Sequence, residues 1–437
     1  MTINGKNTHF GIKLRLILVV IYIGLVSSTY SIVSYASSAG GTDAPVPVLE
    51  KGHAVDWWFV FKFNSHAFPK CGDNQTEQRT CPFGGQVQSY TYSQQFVYAS
   101  SDDPSLQKGS VCVGETTTDP LGATFEEVYD NYYYFVIWND QFYQDPKIHG
   151  CGNSCSAPWG HSKGMLAWND AGEGLVLQVT TPSWPAAGSK NTPRKSDGNT
   201  LGCIDDDNVK VSQHFFSLKL NKDDVIKVLM GLKNSSVVTD PTNPQIVNNG
   251  GPQDIQDLVT SLGKKSKSKN YLKEELSSGV VLISKPSALH VPPWQMVSAI
   301  LGKVPLRAAT WWARPKIYST KMSTIITCWA SSLEKPGQVD IATSGQWEGE
   351  QFSLKGGPGY DSNHAKIGVS MSGNNHYTIF GDMNQQGALS VGYAYSKQKC
   401  SSSQNGRGGL FFVLKNTELY KSVSNLIEGQ TAKVKEN

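Results

Sequence analysis

The sequence predicts an α/β protein built from two related halves. Apolar, β-favouring runs recur along the chain, and an amphipathic helical stretch at 219–233 carries Asp223 and Asp224 near its start. A strand with a His-x-Lys triplet, a turn rich in Gly, Asn or Asp, and a returning apolar strand ending in a polar loop together occur twice. The copies begin at His161 and His364, 203 residues apart. Such an internal repeat points to gene duplication and a pseudo-twofold arrangement. A chain of 437 residues has room for two such halves.

The elements follow in order. Lys13 and Arg15 precede an apolar run at 16–26, and small residues follow at 34–39. This is the pattern of a secretory signal peptide over residues 1–38; the rival reading is an uncleaved anchor. Export agrees with eight cysteines, an even number suited to disulfides. Cys151 and Cys155 form a CxxxC without a partner pair at zinc spacing, so a structural zinc is not expected. Six cysteines precede residue 204 and two follow residue 327. The simplest pairing closes each half separately, with Cys328–Cys400 in the second. Asn74-Gln75-Thr76 and Asn234-Ser235-Ser236 are glycosylation sequons, relevant in a eukaryotic host.

Residues 39–236 form the first half. Strands are expected at 55–63 and 131–138, and a hairpin at 164–168 and 175–180 around Asn169-Asp170-Ala171-Gly172. Residues 237–270 change character. Pro241, Pro244, Gly250, Gly251 and Pro252 interrupt the pattern, and Lys264-Lys265-Ser266-Lys267-Ser268-Lys269 is a polar basic run. They read as a connector, the basic run being a solvated loop or a nucleic-acid contact. The second half, 271–437, repeats the strand pattern at 279–283, 323–327, 364–370 and 377–380.

Charge narrows the partners. The formal net charge is +3, and residues 1–36 contribute Lys6, Lys13 and Arg15 with no acid. Without them the chain is neutral, so affinity for a polyanion must come from a local site. The candidate is the pair His161-Ser162-Lys163 and His364-Ala365-Lys366. On extended backbone, residues i and i+2 share a face, so imidazole and ammonium project together. That suits a phosphodiester: lysine neutralises phosphoryl oxygens, one neutral imidazole attacks phosphorus, and one protonated imidazole donates to the leaving oxygen. Asn384, in the loop after the second returning strand, is placed to orient an imidazole or bind a phosphoryl oxygen. Asp56 reads as a structural carboxylate at the start of a buried strand, and the remaining histidines as surface or satisfied groups. Trp57, Trp58, Trp138 and Trp184 read as core or rim. No Walker loop, GxSxG or HExxH is present.

Several stretches together resemble the deoxyribonuclease II family of acid DNases, within the phospholipase D-like superfamily. They are Val55-Asp56-Trp57, Trp138-Asn139-Asp140-Gln141, Gly160-His161-Ser162-Lys163-Gly164 and Thr181-Pro182-Ser183-Trp184-Pro185. His364-Ala365-Lys366, Gly381-Asp382-Met383-Asn384 and Arg407-Gly408-Gly409 continue the series in the same order. The resemblance implies two α/β/α sandwich halves and a metal-independent, cofactor-free endonuclease acting on double-stranded DNA in acid. It also implies a phosphohistidine intermediate, with 3′-phosphate and 5′-hydroxyl ends as products. Carried over, the catalytic residues are His161, Lys163, His364, Lys366 and Asn384. Ser183 stands where the first half's asparagine is expected, which leaves it a supporting role in rate or pH optimum. Which histidine attacks stays open, with His161 preferred. The enzyme is expected to be secreted, or lysosomal in an animal host, and free of the membrane after signal cleavage; the sequence does not set its oligomeric state. Two alternatives remain: a lipid phosphodiesterase with the same chemistry, and a decayed nucleic-acid-binding protein.

Overall fold

Trp57–Lys62 (WWFVFK) is buried at every position and forms β1 in the computed structural model. A strand apolar on both faces must be covered on both, and this one lies inside an eight-stranded sheet. The structure describes residues 43–64, 66–67, 95–110, 113–114, 117–130, 133–182, 188–189, 192–193, 211–312, 317–357, 359–371, 373–385, 389, 400–401 and 403–436. The expected signal peptide, Asn74, Ser183, Trp184, Cys71, Cys81, Cys112 and Cys203 lie outside them.

After β1 come β2 (Phe96–Ser100), β3 (Gln107–Lys108), α1 (Pro120–Asp130), β4 (Tyr134–Asn139), β5 (Lys163–Trp168), β6 (Gly174–Val179) and β7 (Gln213–Leu220). The β5–β6 hairpin forms at the expected turn. Asn169 accepts from Gly172 N and Ala171 N, and Gly172 takes a positive φ of 85°. Helix α2 (Lys222–Ser235) starts later than the expected 219, because Lys219 and Leu220 still pair with β6 and Asn221 caps the helix onto Asp224 N. Within 237–270, the expected connector, β8 (Val247–Asn248) pairs with β4, and α3 (Gln253–Thr260) buries Ile255 and Val259. The sheet order is β8-β4-β5-β6-β7-β1-β2-β3, antiparallel throughout.

The chain continues with β9 (Leu272–Glu275), β10 (Val281–Lys285), α4 (Pro293–Ile300), β11 (Leu306–Ala309), β12 (Val339–Ile341), β13 (Ile367–Ser370), β14 (Tyr377–Gly381), β15 (Gly409–Lys415) and α5 (Thr417–Leu426). The second sheet runs β9-β10-β15-β14-β13-β11-β12, with only β11–β12 parallel. Five strands stand in one order in both sheets: β4-β5-β6-β7-β1 and β11-β13-β14-β15-β10. In each set the fourth strand, β7 or β15, runs into a helix capped by asparagine, Asn221 before α2 and Asn416 before α5.

The fold is thus mixed α/β with two large sheets. They share a core in which Phe380 of β14 stacks on Phe216 of β7 at 4.3 Å and on Phe59 of β1 at 4.7 Å. Burial of each such ring stabilises by roughly 1.5–3 kcal/mol, so apolar area dominates this seam. Helix α2 also seats closely on β10 and β15: a Cβ on Gly231 would meet Leu410 at 3.2 Å and Leu282 at 3.4 Å. Cys328–Cys400 is bonded as the simplest pairing expects, and Cys151–Cys155 closes a short loop.

Three sequence expectations change. Residues 323–327 form no strand: Lys321 and Thr324 close a turn on each other and Ile325 is exposed, so β-branched composition alone did not make a strand. Asp56 is not buried; its side chain lies in solvent, 3.9 Å from Lys219 Nζ. Asn234 is buried and donates to Asn270 O and Ser284 Oγ, so this sequon cannot carry a glycan in the folded chain. Gly164, beside the first motif, has no room for a side chain: a Cβ would lie 2.4 Å from the Trp138 ring and 2.5 Å from Leu177 O. Gly164→Ala is expected to destabilise by about 1–3 kcal/mol, read as an earlier urea midpoint.

Candidate active site

Both His-x-Lys triplets lie where extended chain runs into a strand, into β5 for His161 and β13 for His364. Each histidine is pinned to the other sheet. His161 N donates to Gly408 O, just before β15, and His364 N donates to Ser212 O, just before β7. The reciprocal bonds bring both imidazoles to one cleft of about 210 Å³, lined also by Asp140, Gln141, Thr180, Trp311, Lys366, Asn384, Gln404 and Arg407.

The imidazole of His161 is oriented by a backbone group. Its Nδ1 lies 2.8 Å from the carbonyl oxygen of Asp382. A carbonyl only accepts, so Nδ1 carries the proton and Nε2 keeps its lone pair. Burial, helped by Lys163, Arg407 and Lys366, holds the His161 pKa well below the usual imidazole value against the pull of Asp140, which favours this neutral form. His364 is held below it too, by burial and then by Lys366 and Lys163, against a hydrogen bond to the Gly357 backbone. The Trp311 ring meets the His364 ring edge-on at 5.8 Å.

The two motif lysines differ. Lys163 is buried with Nζ 2.5 Å from Asp140 Oδ1, and Asp140 Oδ2 takes Arg407 Nη2 at 2.9 Å. Burial alone would raise the Asp140 pKa, but Lys163, His161 and Arg407 outweigh it and hold the carboxyl well below its ordinary range. Arg407 also donates to the carbonyls of Cys155, Trp159 and Gly160, clamping the approach to His161. Lys366 instead lines the cleft, donates to His364 O at 2.5 Å and has no ion pair with any described carboxylate. Burial and Lys163 push its pKa down to about 7.

A buried hydrogen-bonded chain ties the motifs together. Lys366 N donates to His214 Nδ1 at 3.1 Å, so His214 Nε2 carries the proton and donates to Gln178 Oε1 at 3.3 Å. Gln178 Nε2 then donates to Asp382 Oδ1 at 3.0 Å, and Leu410 N donates to Asp382 Oδ2 at 2.8 Å. Burial raises the Asp382 carboxyl to about 7 against these bonds and that of Ser162. The network holds the loop whose carbonyl fixes His161. Asn384 is buried at the cleft, and its Oδ1 has no hydrogen-bond partner among the described residues. A buried acceptor left open costs roughly 1–3 kcal/mol unless something in the cleft satisfies it.

Of the residues expected from sequence, His161, His364, Lys366 and Asn384 line the cleft, Lys163 stands behind Asp140, and Ser183 lies outside the described residues. Asp140, Gln178, His214, Asp382 and Arg407 were not singled out for the site. For Asp140, Asp382 and Arg407 a signal is present, since all three fall in stretches that resemble the family. Among the described residues, no group of three or more His, Cys, Asp or Glu side chains is placed to hold a metal ion.

Residues 47–433, nearly the whole chain, match the family model of deoxyribonuclease II. The chain belongs to the deoxyribonuclease II family. It is an endonuclease acting on DNA. The DNase II match extends beyond both triplets, from before β1 to beyond α5, so the family assignment rests on the whole fold and not on two short motifs. A comparison with curated proteins returned no match.

Proposed function

We propose that the chain is an exported, metal-independent acid DNase in which His161 is the nucleophile. The observation that carries this reading is the Nδ1–H bond of His161 to the Asp382 carbonyl. It leaves Nε2 as a neutral lone-pair nitrogen in a cleft shared with His364 and Lys366. The matching strand order of the two sheets and the reciprocal His161–Gly408 and His364–Ser212 bonds support a phospholipase D-like pair of halves with one composite site. Disulfides at Cys151–Cys155 and Cys328–Cys400 support export. Among the described residues no helix is long and apolar enough to cross a membrane.

The chemistry runs in two displacements. His161 Nε2 bonds to phosphorus as the P–O5′ bond breaks, and protonated His364 gives its proton to the departing oxygen, leaving a 5′-hydroxyl. Lys366 and the Lys163–Asp140–Arg407 array lower the charge on the phosphoryl oxygens. Water then attacks the phosphohistidine, His364 takes its proton, and the N–P bond breaks to leave a 3′-phosphate. The open Oδ1 of Asn384 accepts from that water.

Acid preference follows from the shifts. Lys366, lowered to about 7, becomes fully cationic only as pH falls below neutrality, and His364 gains its proton lower still. Plasmid cleavage in excess chelator is therefore expected to rise steadily from about pH 7.5 to about pH 5. Equal rates at the two values, or loss of cleavage on adding chelator, would overturn the reading. Cleavage of phosphatidylcholine with DNA left intact would replace it by the lipid phosphodiesterase.

A further inference from the structure

We propose that the basic run at 264–269 is a phosphate-binding comb that receives the DNA backbone beside the cleft; this rests on the DNA-cleaving reading above. The run alternates. Lys265, Lys267 and Lys269 are exposed, whereas Ser266 and Ser268 between them are half-buried. The serines hold the chain: Ser266 N donates to Ser236 Oγ, Ser268 N to Ser266 Oγ, and Asn270 N to Ser268 Oγ.

Its position links it to the catalytic histidine. Ser236, which anchors Ser266, accepts from Gly160 N at 2.8 Å through its carbonyl, and Gly160 precedes His161. Lys265 Nζ stands 5.2 Å over the Trp159 ring, and the Trp159 carbonyl is held by Arg407, which lines the cleft. So two separate contacts fasten the run to the two residues before His161. The run's lysines also lack carboxylate partners among the described residues. Lys51, Lys108, Lys222, Lys227, Lys303 and Lys421 are each ion-paired with a carboxylate. None of Lys264, Lys265, Lys267 and Lys269 is paired with a described carboxylate. In a chain neutral outside its N-terminal segment, four unpaired cations beside the cleft supply the local field that a polyanion requires.

The test compares wild type with the triple variant Lys265→Gln, Lys267→Gln, Lys269→Gln on a DNA duplex. Both are assayed for binding at about pH 5 and for cleavage between about 50 and 200 mM salt. Each phosphate contact contributes about 0.9 to the slope of log affinity against log salt. Three lost contacts should therefore make the salt-induced loss over that range about fortyfold smaller than in wild type. The variant should keep its turnover on bis(p-nitrophenyl) phosphate, which is too small to reach the run. The control triple Lys51→Gln, Lys303→Gln, Lys421→Gln removes the same charge from ion-paired positions and should keep the wild-type slope. A wild type that cleaves DNA while the comb variant keeps its salt slope overturns the comb and leaves the nuclease reading standing. A slope reduced equally by the control overturns it as well, since net charge would then suffice. A wild type that neither binds nor cuts the duplex overturns the reading and the comb with it.

Discussion

His161→Ala is expected to lose turnover on DNA by a thousandfold or more while the protein stays folded. On the proposed reading the change removes the attacking Nε2, while Lys163 is held by Asp140 and His214 is committed at both nitrogens. A general acid or base contributes about 10²–10⁴ in rate, and on the proposed reading the attacking nitrogen is lost as well. His364→Ala should fall by a similar factor on plasmid DNA. It should recover much of it on a substrate whose leaving group needs no proton, such as a p-nitrophenyl ester. His161→Ala should not recover there, and that contrast assigns the roles. Full recovery of both variants, or of neither, would remove the distinction between attacking and donating histidine. The measurement is kcat on the two substrates, beside a far-UV spectrum and melting curve to establish folding.

The triplets were legible because each is local. Two residues on extended backbone, a turn with asparagine and glycine, and a returning strand can all be read within about twenty residues. The first sheet was legible in part for the same reason, since a strand such as Trp57–Lys62 is a near-continuous apolar run, whereas Gly409–Lys415, equally apolar, is not among the expected strands. What escaped is what topology joins. Arg407 reaches Asp140 across 267 positions, Asp382 reaches His161 across 221, and Lys366 reaches His214 across 152. No spacing rule links such pairs, and the key acceptor for His161 is a backbone carbonyl, which has no signature in residue type. Composition misled where it lacked context: 323–327 has strand-favouring residues that form a turn and bend, and Asn234 has a sequon inside the core.

Asp140→Ala is expected to be the most destabilising single change at the site, by about 3–5 kcal/mol. Asp140 is 1% exposed and lies between Lys163, 2% exposed, and Arg407. Removing it leaves buried Lys163 and half-buried Arg407 without their shared counter-charge, the costly way to break such a network. Asp140→Asn keeps the shape and one acceptor but loses the charge, so it should cost less, and Lys163→Met should partly rescue Asp140→Ala by removing a stranded cation. The sign of the pH dependence follows from the depressed Asp140 pKa. A carboxyl lowered on folding contributes fully above its unfolded value, near 4, and loses that contribution only as pH falls toward the folded one. At about pH 5, where the enzyme is expected to work, the Lys163–Asp140–Arg407 array is therefore still intact. Urea unfolding at about pH 5 and about pH 7 should show nearly the same gap between wild type and Asp140→Ala. A gap that closed at pH 5 would mean that the carboxylate titrates in the working range and that the array does not hold the site in acid.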